Sequence, residues 1–159
     1  MISSLRVRLV AREPMLKLAS DVDLSIALAA RDRLGMIYVD ACHPPSMTTI
    51  RLEVGTRVDI ATTALGRAFL AGIDPSERDY IFERLARKLG AAWPALHVRV
   101  LDSIAEVEER GFCIVDGEWQ SDIRAVAAPV ISPDRSEVMA LNAAGPLFAA
   151  SRETMEREV

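Results

Sequence analysis

The sequence predicts an α+β domain: one mainly antiparallel sheet with helices packed on it. Three observations predict it. Apolar residues alternate with period two in adjacent segments joined by short turns, as in hairpins. Other segments carry helical spacing between cap-type residues and glycines. Helices and hairpins follow one another without the regular strand-helix alternation of a parallel sheet.

The central stretch is Val54 to Ala71, VGTRVDIATTALGRAFLA, a loop running into a helix. Asp59, Thr62 and Thr63 are all candidate N-caps, because their short side chains accept from the first free amides of a helix. Ala64, Leu65, Ala68, Phe69 and Ala71 then form an apolar stripe, as in an ordinary core helix. Gly66 interrupts it at a cost of roughly 1 kcal/mol relative to Ala. Such a glycine predicts close approach by a neighbouring element. The amides of Thr63, Ala64 and Leu65 would form a small positive pole for a carboxylate or phosphate oxygen.

The elements are assigned in chain order. Leu5 to Ser20 is a helix that improves after Pro14. Asp21 to Ala30 and Met36 to Cys42 are strands joined by a turn at Arg31 to Gly35. Met47 to Val54 is a third strand, followed by the central helix to Gly72. Asp74-Pro75 starts a helix that ends at Leu89, before Gly90. Ala91 to Leu101 reads as irregular, and Asp102 or Ser103 caps a short helix ended by Gly111. Phe112 to Val115 is a short strand. Ile123 to Ile131 and Glu137 to Ala144 form the second hairpin. Leu147 to Val159 is a final helix.

Composition narrows the function classes. The chain has 159 residues, 50% hydrophobic and 26% charged, which suits a globular domain with its own core. Aromatic residues make up only 5%, so small and aliphatic side chains must fill that core. A net charge of -4 without a basic stripe argues against nucleic-acid binding by this chain alone. No apolar run approaches the roughly 20 residues of a membrane helix, and no signal peptide is visible, so no membrane partner is predicted. Cys42 and Cys113 lie far apart, which fits a reducing, cytoplasmic setting.

Catalysis has no strong candidate set. Cys42-His43 and the isolated His97 and Cys113 lack metal-ligand spacing. Asp116 and Glu118 flank Gly117 and read as a solvated hairpin corner. Glu106, Glu108, Glu109 and Arg110 read as a solvated helix face. No cofactor or metal is predicted. A small enzyme using Asp116, Glu118 or His97 is the weakest functional reading. A ligand site at Thr62 to Leu65, facing apolar strands, is the strongest.

Two stretches carry a resemblance. VGTRVDIATTALGRAFLAG, residues 54–72, resembles the glycine, loop and "HATALGKALLA" pattern of the isocitrate lyase regulator (IclR) family of bacterial transcription factors. RGFCIVDGEWQSDIRAVAAPVISPDRSEVMALNAAGP, residues 110–146, is similar to that family's "RGYAxDxEE…G…AAPVxD…VxAALSVSGP" pattern. The resemblance covers nearly the whole chain. It implies a GAF-like (profilin-like) fold over residues 1–159, acting as a single effector-binding domain. It also implies a separate N-terminal winged helix-turn-helix, outside this chain, as the part that binds DNA. A stand-alone ligand-binding module is the alternative.

The implied pocket lies between the sheet and the central helix. Ala64 and Leu65 match positions whose amides meet a ligand carboxylate, beside Thr63. Met47, Ile50, Val58, Ile123 and Leu141 match apolar wall positions. The polar positions differ: Val115 stands for a carboxylate, Ala125 for a cysteine, and Asn142 and Ala144 for two serines. Each lost hydrogen bond would have contributed about 0.5–1.5 kcal/mol net. A less polar pocket is therefore expected, with Asn142 as its main polar side chain and an aromatic or aliphatic carboxylic acid as effector. Exposed strand edges and apolar hairpins lead to an expected homodimer or tetramer.

Overall fold

The structure, a computed structural model, describes residues 2–45 and 50–159. A six-stranded, wholly antiparallel sheet divides the molecule. Its strands are β1 (Ser25–Asp32), β2 (Gly35–Cys42), β3 (Arg57–Asp59), β4 (Cys113–Asp116), β5 (Ile123–Ile131) and β6 (Val138–Pro146). Their order across the sheet is β3-β2-β1-β6-β5-β4. The two hairpins are thus joined through β1 and β6, which pair from Ser25↔Ala144 to Ala29↔Ala140.

Both faces of the sheet are covered. Helices α2 (Ala64–Gly72), α3 (Pro75–Leu89) and α4 (Trp93–Arg110) contribute to the larger core, with Leu65, Phe69, Ile81, Leu85, Val100 and Ile104 buried there. The second core takes Met15 and Ala19 from α1 (Ile2–Val22) and Met155 from α5 (Arg152–Glu158). Alternation along β1 divides its side chains between the two: Ala27 and Ala29 face the larger core, Ile26 and Leu28 the smaller. Ala127, Ala140 and Ala144 extend the small-residue surface beneath α2. This arrangement lets α2 lie close to the sheet.

Several boundaries differ from the sequence reading. The first helix continues to Val22, and β1 begins only at Ser25, after Asp23 turns the chain with φ 54°. The third strand predicted over Met47 to Val54 is not formed where it can be described. Residues 46–49, Met47 among them, lie outside the described residues, and 50–53 have no regular structure. The chain instead turns at Val54-Gly55, with Gly55 at φ 88°. The Gly55 amide donates to the Tyr38 carbonyl (2.8 Å), the Tyr38 amide donates to the Thr56 carbonyl (3.0 Å), and Arg57–Asp59 then pairs with β2.

Residues 91–101 are helical rather than irregular. A 3-10 turn, Gly90–Ala92, leads into α4, and Pro94 sits in its first turn, where a missing N–H breaks no intrahelical bond. Asp102 and Ser103 therefore lie inside α4 and cap nothing: the Ser103 hydroxyl donates to the Arg99 carbonyl one turn back (3.1 Å). The last helix is shorter than predicted, beginning at Arg152 behind its cap Ser151.

Candidate functional site

The three candidate caps before α2 divide the work. The Asp59 carboxylate accepts from the amides of Ala61 (2.8 Å) and Thr62 (3.1 Å), closing the turn that leads into the helix. Thr63 is the N-cap: its hydroxyl oxygen accepts from the Gly66 amide (3.1 Å), and its carbonyl accepts from Arg67 (3.1 Å). The amides of Ala64 and Leu65 precede any intrahelical acceptor, so they form the open positive end of α2. Gly66 is required at this place. A Cβ there would stand 2.1 Å from the Ile60 carbonyl oxygen, so the incoming loop crosses directly over the helix backbone.

This helix end borders a small cavity. Its walls are Thr62, Thr63, Ala64 and Leu65 from the helix start, Val115 from β4, and Ile123 and Ala125 from β5. Asn142 and Ala144 of β6 and Tyr38 of β2 complete the sheet side, and Gly117, Glu118 and Trp119 form the remaining side. The free volume is about 20 Å3, enough for roughly one water molecule. Asn142 is 6% exposed, and its Oδ1 has no hydrogen-bond partner among the described residues. A buried amide oxygen in that condition costs about 1–3 kcal/mol.

The predicted wall residues are distributed as follows. Thr63, Ala64, Leu65, Val115, Ile123, Ala125, Asn142 and Ala144 line the cavity. Val58 is buried in the same core without lining it, and Ile50 packs against that core half-buried. Leu141 is a correction: it packs against the other core, with α1. Successive strand residues point to opposite faces, so Leu141 and Asn142 cannot share one cavity. Tyr38 and Trp119 are wall residues that the sequence reading did not name.

The turn after β4 is also corrected. Glu118 is not a solvated corner but the partner of a buried arginine. Arg67 is 2% exposed in the middle of α2. Its Nη1 and Nη2 donate to the Glu118 carboxylate at 3.2 and 2.5 Å, its Nε to the Ala61 carbonyl (2.8 Å), and Nη1 also to the Ser103 hydroxyl (3.2 Å). Arg99 approaches the same carboxylate from outside (3.1 Å). Desolvation pushes the Glu118 carboxyl up, but the hydrogen bonds and charge of Arg67, then Arg99, outweigh it and hold it below its usual value. The network fastens the 117–119 wall to α2 and α4. A lone cation inside the apolar run ALGRAFLA is the one sequence signal that pointed to it.

Asp116 pairs with Arg124 (2.7 Å) and Arg152 (3.0 Å). The Cys113 thiol approaches the Ala64 carbonyl (3.6 Å), and burial pushes it up to about 12. His97 lies against Trp93 and Phe82, each 4.7 Å away between ring centroids. Among the described residues, no group of three or more His, Cys, Asp or Glu could hold a metal ion. The site is thus an apolar chamber with one open helix end, one unpaired amide oxygen and a neutralised rim carboxylate.

Comparison with known proteins agrees with this architecture. The family model "Bacterial transcriptional regulator IclR C-terminal" matches residues 1–158. The HTH-type transcriptional regulator TsaQ1/TsaQ2 of Comamonas testosteroni is 27% identical over 139 residues, 86% of this chain and 50% of that protein. The chain therefore spans about half the length of that curated relative. The crystal structure of an IclR-family transcriptional regulator from Brucella abortus superposes with a TM-score of 0.89 at 32% identity, covering 96% of this chain and 57% of that one. The inducer-binding domain of the PobR transcription factor from Acinetobacter, a double mutant in complex with 3-hydroxybenzoic acid, shares the fold with a TM-score of 0.73 at 16% identity. It covers 94% of this chain and 88% of that one.

Proposed function

Since this chain belongs to the family of IclR C-terminal domains, the effector-binding domains of bacterial transcriptional regulators, we propose that its own effector is an apolar carboxylic acid bound in the cavity at the start of α2. The matched relatives are transcriptional regulators rather than enzymes. The unpaired Oδ1 of Asn142, buried opposite the open α2 amides, carries this reading. A carboxylate at Ala64 and Leu65 would satisfy both the amides and the positive helix end. Asn142 then requires a donor, such as a hydroxyl or an N–H, on the acid's apolar body. Leu65, Val115, Ile123 and Trp119 would enclose that body. The hydroxybenzoate bound by the PobR relative has this combination of groups.

A chamber of about 20 Å3 does not admit such a molecule as it stands. Binding must therefore expand it, and the 117–119 wall, fastened through Glu118, is the segment whose displacement would do so. Ligand binding would favour one arrangement of the regulator over another and so bias DNA binding by a winged helix-turn-helix outside this chain. The same reading implies a homodimer or tetramer in the cytoplasm. No described helix is long and apolar enough to cross a membrane.

A thermal-shift series of benzoate-sized and smaller acids, each with its matched amide, tests the proposal. An acid at about 100 times its Kd should stabilise by roughly 2.7 kcal/mol, and its amide should not. Asn142→Leu should remove the preference for hydroxylated acids over their deoxy analogues. Equal shifts by acids and amides, or tightest binding by the smallest oxo acids, would refute it.

A further inference from the structure

A separate cleft of about 550 Å3 opens between the β1–β2 hairpin end, β3 and α3. Its walls include Arg31 from the end of β1, Arg33 from the turn, Arg57 from β3, and Tyr80, Arg84 and Lys88 from α3. Five cations around one concavity stand out in a chain whose net charge is -4. Local carboxylates engage only part of the set: Glu77 lies 3.5 Å from Arg31, and Asp32 lies 3.4 Å from Arg57. Among the described residues, no carboxylate is within ion-pair distance of Arg33, Arg84 or Lys88.

Two features shape the cleft. Gly35 leaves room for Arg57, whose Nε would stand 3.0 Å from a Cβ at that position, and the Arg57 Nη2 donates to the Asp32 carbonyl (2.6 Å). The guanidinium is therefore held beside the turn. Arg33, first of the two turn residues, takes φ 58°, where glycine or asparagine is the ordinary choice. Across the cleft, Tyr80 is half-exposed, with the Arg84 guanidinium 5.5 Å from its ring centre and donating to its hydroxyl (3.0 Å).

We propose that this cleft is a second ligand site, for a small molecule carrying two or more linked phosphate groups. Planar guanidinium forks on opposite walls can each take a different phosphate, and Lys88 adds a mobile point charge. The volume lies in the usual range for a small-molecule site. Tyr80 offers an apolar platform for whatever the phosphates carry. The concavity, with Glu77 of α3 beside Arg31 and Asp79 and Glu83 on the same helix, favours a compact anion over the long, even charge of a duplex.

Isothermal titration of the chain with sodium tripolyphosphate, at 150 mM salt and with orthophosphate as control, tests this. Tripolyphosphate should bind and orthophosphate should bind far more weakly. Arg84→Gln with Lys88→Gln should weaken binding by about tenfold or more, with the melting temperature unchanged. Arg87→Gln, on the same helix but outside the cleft, should leave it intact. ATP binding tighter than tripolyphosphate, and weakened by Tyr80→Ala, would identify a nucleotide. Equal affinities would identify the polyphosphate alone, and either supports the site. No tripolyphosphate binding, no effect of the double substitution, or binding of duplex DNA in preference to tripolyphosphate would overturn it.

Discussion

Replacing Glu118 by Gln should destabilise the protein far more than a turn residue ordinarily would. Glu118→Gln keeps the shape of the side chain and removes its charge. Arg67, 2% exposed, then loses its only carboxylate partner among the described residues but keeps the Ala61 carbonyl and Ser103 hydroxyl as acceptors. Removing one member of a buried ion pair costs about 3–5 kcal/mol, because the remaining charge stays buried. The Glu118 side chain is 25% exposed and water can reach that end of Arg67, so the expected cost is at the lower edge, about 3 kcal/mol. For a chain of this length that is about 6–12 °C in Tm. Urea and thermal unfolding near pH 7 would measure it. The pH dependence has a definite sign. The folded Glu118 carboxyl lies below its ordinary value of 4.5, so its contribution is fully present above that pH and is lost as pH falls through the folded value. The gap between wild type and Glu118→Gln should therefore close in acid. Replacing both partners, as Arg67→Met with Glu118→Leu, should recover much of the loss, because no buried charge then remains. A loss under about 1 kcal/mol at pH 7, or a gap that does not narrow in acid, would refute the reasoning.

Two other outcomes follow from the geometry around α2. Gly66→Ala should lower stability in urea despite gaining about 1 kcal/mol of helix propensity, because its Cβ would meet three backbone atoms of Ile60 at 2.1–2.5 Å; a neutral or stabilising result would mean the loop can move away. With Cys42→Ala leaving Cys113 as the one thiol, a disulfide reagent near pH 8 should label the unfolded chain rapidly and the native one hardly at all, since burial pushes that thiol up to about 12. Fast native labelling would contradict the closed packing beneath Ala64.

The parts of the fold legible beforehand were those set by residues close together in the chain. The β5–β6 hairpin shows this: the boundaries of β5, Ile123–Ile131, follow from an almost wholly apolar run, IRAVAAPVI, between turn residues. The α3 helix ends at Gly90 with φ 54°, as a glycine terminus implies. The errors arose where two local signals competed. Ala91 to Leu101 reads as irregular, yet it contains Pro94, a residue that also starts helices and here sits in the first turn of α4. Met47 to Val54 reads as a strand, although the edge of β2 is taken by the residues after Gly55.

The candidate site divides along the same line. By itself the sequence determined the helix start, its cap-type residues, the glycine demanding close approach, and the small residues that let α2 lie on the sheet. These depend on spacings of two to four residues, which the backbone geometry of helix and strand makes legible. Only the tertiary structure decided which charge meets which. Arg67 and Glu118 are 51 positions apart, and nothing in either neighbourhood specifies the other. Leu141 and Asn142 are adjacent, yet the layer packed on each face sends one to the α1 side and leaves the other's Oδ1 unpaired in a cavity. Likewise, the five cations of the second cleft are spread from Arg31 to Lys88 and form a cluster only because β3 and α3 fold back beside the first hairpin. Long-range pairing of charges and the closure of a cavity are properties of packed surfaces, and those exist only once the layers have come together.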